Sequence, residues 1–313
     1  MSIECPCGVL GVFGGEGGVV LEVHTRDVVV IPAGVAHRFF AWTLAPGTLF
    51  FMRPIREFPP HLRPRIRYVL TDIDDTLTLD GLLPAASFAA MERLRDAKVA
   101  VVPITGRPAG WCDHIARMWP VSAVVGENGA FYYRYDRAAR RRDRRYFKPG
   151  AERAADRQRM EGLKTRILAQ VPGCAVSADQ AFREADLAID FCEDVPRLPA
   201  EAVARIVACF EAAGARAKVS SIHVNGWFGD YDKLTMTRRL FRDCWQLDLD
   251  AVRDECVFVG DSPNDQPMFA FFPHSVGVAN VAAFAAQMSA LPAYITQREG
   301  GHGFAELTEL LLE

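Results

Sequence analysis

Tyr68-Val69-Leu70-Thr71 runs directly into Asp72-Ile73-Asp74-Asp75-Thr76. A short, continuous apolar run of this kind reads as a strand buried on both faces of a parallel sheet. Open α/β sheets bind their ligands at the carboxyl ends of such strands. Asp72 and Asp74 stand one residue apart where the pleat gives way to a loop, so both converge on one small site. Two carboxylates this close repel unless a cation or a shared proton intervenes. The pair suits a divalent metal combined with acid–base chemistry, although D-x-D-x-T alone also describes an ordinary solvated turn.

Three further segments follow in order. Val99–Ile104 is a second apolar run and ends in Thr105-Gly106-Arg107. Lys233 opens a segment whose apolar residues Leu234, Leu240, Phe241, Cys244 and Trp245 recur at helical spacing. Cys256-Val257-Phe258-Val259 is a third strand, and it ends in Gly260-Asp261-Ser262-Pro263-Asn264-Asp265. Each polar cluster follows a strand or starts a helix, the placement expected of loops that line one rim of a parallel sheet.

These four pieces together resemble the motifs of the haloacid dehalogenase superfamily of phosphohydrolases, over roughly residues 65–313. Val124-Val125-Gly126-Glu127-Asn128-Gly129-Ala130 is similar to a segment of its subfamily IIB, whose cap domain is inserted between the second and third motifs. The resemblance implies an α/β protein: a Rossmann-like core with a parallel sheet (65–133 and 229–313) and an inserted α+β cap (134–228). A small β segment (1–58) precedes them. It further implies Asp72 as nucleophile and Asp74 as acid and then base. Thr105 and Lys233 would stabilise charge on the phosphoryl group. Mg²⁺ would be held by Asp72, Asp261 and the backbone carbonyl of Asp74, with Asp265 assisting the metal or anchoring Lys233. Asn264 would position its loop, while Gly106, Arg107 and Asn128 would bind substrate. Arg107 is equally read as the partner of a nearby carboxylate. Asp75 stands where many members of this family have glycine.

The implied activity is a Mg²⁺-dependent phosphatase acting on a small phosphorylated metabolite, a sugar phosphate above all. A phosphomutase of the phosphomannomutase type and a non-catalytic phosphate-binding or sensor protein are the alternatives.

Composition agrees with an enzyme of this size. The chain has 313 residues, enough for two or three units, and its formal net charge of −3 gives no global case for nucleic acid. No apolar run is long enough for a membrane span, and the first residues lack the basic flank of a secretory signal. Of the 8 cysteines, Cys192, Cys209, Cys244 and Cys256 sit in apolar-patterned elements and read as reduced core residues, which points to the cytoplasm.

Within the cap, helices are expected at 151–170 and 198–213 and strands at 174–177, 187–192, 217–220 and 222–224. The run 134–148 carries eight basic and two acidic residues and reads as a solvated, mobile linker rather than a docking surface. Asn225–Asp232 reads as a hinge, whose Trp227 and Phe228 either stack on a sugar or pack cap against core.

The segment Val20–His37 resembles the second half-motif of a cupin. Only His24 lies upstream of His37, and Arg26 replaces the usual glycine, so no metal is expected there. A truncated cupin-like unit of this kind offers a surface for packing on the core or for a homodimer.

Overall fold

The computed structural model describes residues 52–220 and 222–313 in full and, within the first 51, the backbone of strand segments only. The central sheet runs in the order Phe40–Ala45, Thr48–Pro54, Tyr294–Ile295, Ser275–Gly277, Cys256–Gly260, Tyr68–Thr71, Ala100–Pro103. All neighbours are parallel except the first pair, which is antiparallel. The strands are short because each is apolar only until it reaches the rim, where polar loops take over.

Alternation along these strands splits the core into two layers. Val69, Val101, Val257, Val259 and Val276 point into one cluster with the helices Ala85–Asp96, Ala109–Met118 and Gly300–Leu311. Leu70, Val102, Cys256 and Phe258 point into the other, with Lys233–Trp245 and Gln266–Phe271. Phe258 and Leu70 have no exposed surface, and each such side chain contributes about 1.5–3 kcal/mol by leaving water. The apolar face of each helix is thus what fixes it to the sheet.

Thr48–Pro54 changes one expectation. It falls inside the segment read as 1–58, yet it pairs in parallel with Tyr294–Ile295, with Arg53 opposite Tyr294. The end of that segment is therefore part of the core sheet. The first four strands, from Ile3–Cys5 to Val28–Pro32, form a separate antiparallel sheet. The cupin-like proposal for His37 lies outside the described residues.

The basic run is also not the linker expected of it. Arg141–Tyr146 is a strand paired antiparallel with Phe131–Asp136, which pairs in turn with Val124–Gly126. Tyr133 and Tyr146 are linked through their hydroxyls at 3.0 Å, and Arg142 and Arg144 pair with Asp113 and Glu184. Ring packing and local carboxylates offset the charge repulsion that the sequence alone suggests.

The inserted unit has helices Gly150–Gln170 and Ala200–Ala212 over an antiparallel sheet ordered Ala175–Val176, Asp186–Asp190, His223–Trp227, Arg216–Val219. Leu187, Ile189 and Val224 face the helices, packing with Ile167, Ile206 and Phe210. The alternate positions Asp186, His223 and Asn225 are buried polar residues on the opposite face. Trp227 and Phe228 are buried, with Trp227 stacked on Tyr231, so these rings pack the protein rather than meet a sugar. No described helix is long and apolar enough to cross a membrane.

Candidate active site

Three strand ends and one helix start meet at the carboxyl rim. Asp72 follows Thr71 directly, and its backbone N–H donates to the Val259 carbonyl at 2.9 Å, which locks the loop to the neighbouring strand. Asp261 follows the strand Cys256–Gly260 in the same way. Lys233 begins its helix behind Asp232, whose carboxylate caps the Thr235 N–H at 2.7 Å. Gly129 lets that helix start come close: a Cβ there would lie 2.1 Å from the Asp232 carbonyl oxygen.

The Lys233 ammonium donates to Asp72 Oδ2 and to Asp265 Oδ1, both at 2.8 Å. Asp72 Oδ1 accepts from the Ile73 N–H at 2.8 Å, and Asp265 Oδ2 accepts from the Asp261 N–H at 3.2 Å. Thr76 donates to Asp261 Oδ1 at 2.8 Å. This last contact gives the threonine of D-x-D-x-T a definite place, tying the first motif to the fourth. Gly260 is required for the arrangement, because a Cβ would lie 2.4 Å from Asp265 Oδ2.

Asp72, Asp261 and Asp265 each offer an oxygen within 4.8 Å of the others, and all three are buried. One ammonium faces three carboxylates. Burial pushes Asp72 up to about 6 despite Lys233, and burial with the charges of Asp265 and Asp72 pushes Asp261 well above the ordinary range. A hard divalent cation fits this donor set: it would relieve the repulsion, and oxygen ligands are those it prefers. Asp265 commits one oxygen to Lys233 and the other to the Asp261 N–H, so anchoring Lys233 and the fourth-motif loop is the role its geometry favours. The Asp74 side chain does not join this cluster.

Asp74 instead accepts from Arg107 Nε at 2.9 and 3.1 Å. Arg107 is held in turn by its own N–H, which donates to Thr105 Oγ1 at 3.0 Å. Of the two readings of Arg107, the structure shows the carboxylate pair. Its Nη1 also lies 3.5 Å from Glu193 and 3.8 Å from Asp179, both in the inserted unit.

A chamber opens above these residues. Asp72, Asp74, Gly106, Arg107 and Asn128 line it from the core side, with Asp261, Ser262 and Asn264 from the fourth motif. Ser262 donates to Asn264 Oδ1 at 3.1 Å, fixing that loop. Thr105 and Lys233 lie behind the lining, and Thr105 is fully buried. Asp75 has φ +53°, in the left-handed region that favours glycine and that Asp and Asn visit more readily than other residues.

The opposite wall comes from the inserted unit, with Arg183, Lys218, Ser220, His223 and Asn225. His223 Nε2 lies 2.7 Å from Glu193 Oε2, and Asn225 donates to Asp186 at 3.1 Å. The sequence reading missed this wall. Its one legible signal was polar His223 and Asn225 alternating within an otherwise apolar strand.

Glu127 was also missed as a functional residue. Its two carboxylate oxygens accept from the N–H groups of Ala109, Glu184, Ala185 and Asp186 at 2.5 to 3.1 Å. The last three belong to the inserted unit, whose Arg183 also donates to the Gly106 carbonyl at 2.9 Å. Glu127 and Asn128 have φ of +43° and +54°, conformations that persist only where surrounding contacts hold them. Two units thus close on one another through a buried carboxylate and a buried guanidinium.

No protein-family model matches the chain, and no curated protein matches it in sequence. Solved structures do match in fold. A Thermoplasma acidophilum protein aligns with a TM-score of 0.61 at 17% identity, over 79% of this chain and 98% of its own. A haloacid dehalogenase-like hydrolase from Bacteroides thetaiotaomicron aligns with a TM-score of 0.55 at 15% identity, over 78% and 98%. The sucrose-phosphatase of Synechocystis, solved with sucrose and phosphate, aligns with a TM-score of 0.55 at 14% identity, over 78% and 97%.

Proposed function

We propose that this chain, which has the fold of the haloacid dehalogenase-like hydrolases, is a Mg²⁺-dependent phosphatase of a small phosphorylated metabolite, a sugar phosphate first of all. The observation that carries this reading is one buried constellation: Asp72 held by Lys233, with Asp261 beside it, at the floor of a chamber that Asp74 also lines. The likeness in fold to a sucrose-phosphatase supports it.

Asp72 attacks phosphorus as the bond to the leaving oxygen breaks, giving an aspartyl phosphate. Asp74 protonates the departing alcohol and then takes a proton from the water that frees inorganic phosphate. Lys233 offsets the charge that gathers on the phosphoryl oxygens, and the Thr105 hydroxyl would donate a hydrogen bond to one of them. Asp72 and Asp261, with the Asp74 carbonyl, would hold Mg²⁺, which supplies further neutralisation of that charge.

The wall opposite supports a polyhydroxylated leaving group. Lys218, Ser220, His223 and Asn225 offer donors and acceptors across the chamber from Asp74, and hydrogen-bonding sites of this kind reject analogues that lack the matching hydroxyls. The closed pairing through Glu127 and Arg183 excludes water and restricts the chamber to small molecules. Phosphate release from a panel of sugar phosphates, with Mg²⁺ and with chelator, tests the proposal. Metal-dependent release supports it, absence of release from the whole panel contradicts it, and a requirement for a bisphosphate activator marks a mutase instead.

A further inference from the structure

On the other side of the Arg107–Asp74 pair lies a second cavity of about 380 Å³. It shares two wall residues with the chamber, Asp74 and Arg107, but its chemistry is different. Its walls are mainly apolar, with Ile73 and Leu83 from the loop after the first core strand and Trp111, Ile115 and Trp119 from the helix Ala109–Met118 and its end. Trp111 is 44% exposed, and the Arg107 guanidinium sits over its ring at 4.5 Å.

Resting on the phosphatase reading, we infer that this cavity is a leaving-group subsite that takes an aromatic or similarly bulky apolar part of the substrate alcohol. The acid that protonates a leaving oxygen lies beside it, so the leaving group starts at Asp74. Two spaces open from Asp74: the polar chamber under the inserted unit, and this apolar cavity. An apolar cavity of about 150 Å³ holds a benzene ring, so the volume here accepts more than one ring. The indole face of Trp111 supplies a stacking surface, and Arg107 at its edge keeps the ring next to the reacting atoms. The substrate class is therefore a phosphate monoester whose alcohol carries an apolar group, alone or attached to a sugar.

The test compares kcat/KM for 1-naphthyl phosphate with that for glycerol 1-phosphate, in the full chain and in Trp111→Ala and Trp111→Phe. The naphthyl-to-glycerol ratio should fall at least tenfold in Trp111→Ala, through KM, and recover in Trp111→Phe, which restores an aromatic wall. An unchanged ratio overturns the subsite. If neither ester releases phosphate, the phosphatase reading fails, and equilibrium binding of 1-naphthol decides the cavity by itself. Binding by the native chain that is lost in Trp111→Ala supports the subsite, and no binding, or equal binding by both, overturns it.

Discussion

Arg107 Nε donates to both oxygens of Asp74, at 2.9 and 3.1 Å, and so fixes the plane of a carboxyl that lines the chamber. Acid–base groups of this kind contribute about 10²–10⁴-fold to rate, and misorientation forfeits part of that. Arg107→Ala is expected to lower kcat about 10²-fold. Arg107→Lys should recover little, because a compact ammonium cannot hold Asp74 while also facing Asp179 and Glu193. Steady-state kinetics of both variants check this, with the loss expected in kcat more than in KM.

Glu127 fastens the two units together. In Glu127→Gln the new amide N–H₂ faces two of the backbone N–H groups that the carboxylate accepts from. A buried donor left without an acceptor costs about 1–3 kcal/mol. The variant should unfold at lower urea concentration, and the amides of Glu184, Ala185 and Asp186 should exchange faster with deuterium. Native protection at those three amides would contradict the fastening role.

Glu193 ties closure to pH. The close approach of His223 Nε2, with the nearby Arg107 charge, holds its carboxyl below the ordinary value of 4.5 against the opposing effect of burial. A depressed folded pKa contributes stability that is present above the unfolded value and is lost as pH falls through the folded one. The Tm difference between native chain and Glu193→Gln should therefore be full above the ordinary carboxyl value of 4.5 and shrink as pH falls below it. A difference that grows on acidification would contradict the assignment.

Metal binding has a readout apart from catalysis. A ligand that binds only the folded state raises its stability by mass action, and Asp72 and Asp261, proposed above to hold the cation, lie in one buried carboxylate cluster. Mg²⁺ should raise the Tm of the native chain, and the rise should be largely lost in Asp261→Asn. Chelator should abolish phosphate release reversibly.

The core site was legible because each motif is local. A buried strand followed at once by Asp72, Thr105 or Asp261 fixes both the position and the exposure of the side chain, and Lys233 needs only a helix start. Long-range partners were not legible. Nothing near Glu127 in the sequence announces that it reaches the amides of residues 184–186, and Arg107 met Asp74 only through the sheet. The hairpin Phe131–Tyr146 was hidden by its charge, since its stability comes from ring stacking such as that of Phe131 on Tyr133 and from carboxylates on other elements. That Thr48–Pro54 joins the core sheet was not legible, because its partner Tyr294–Ile295 lies at the far end of the chain.

The most direct test of the account is phosphate release by Asp72→Asn, measured beside the native chain on its best substrate with Mg²⁺ present. Asparagine keeps the size of the side chain but cannot form the aspartyl phosphate, so activity should fall by at least about 10³-fold while the variant remains folded. Retention of native activity in a folded Asp72→Asn variant would contradict the central claim.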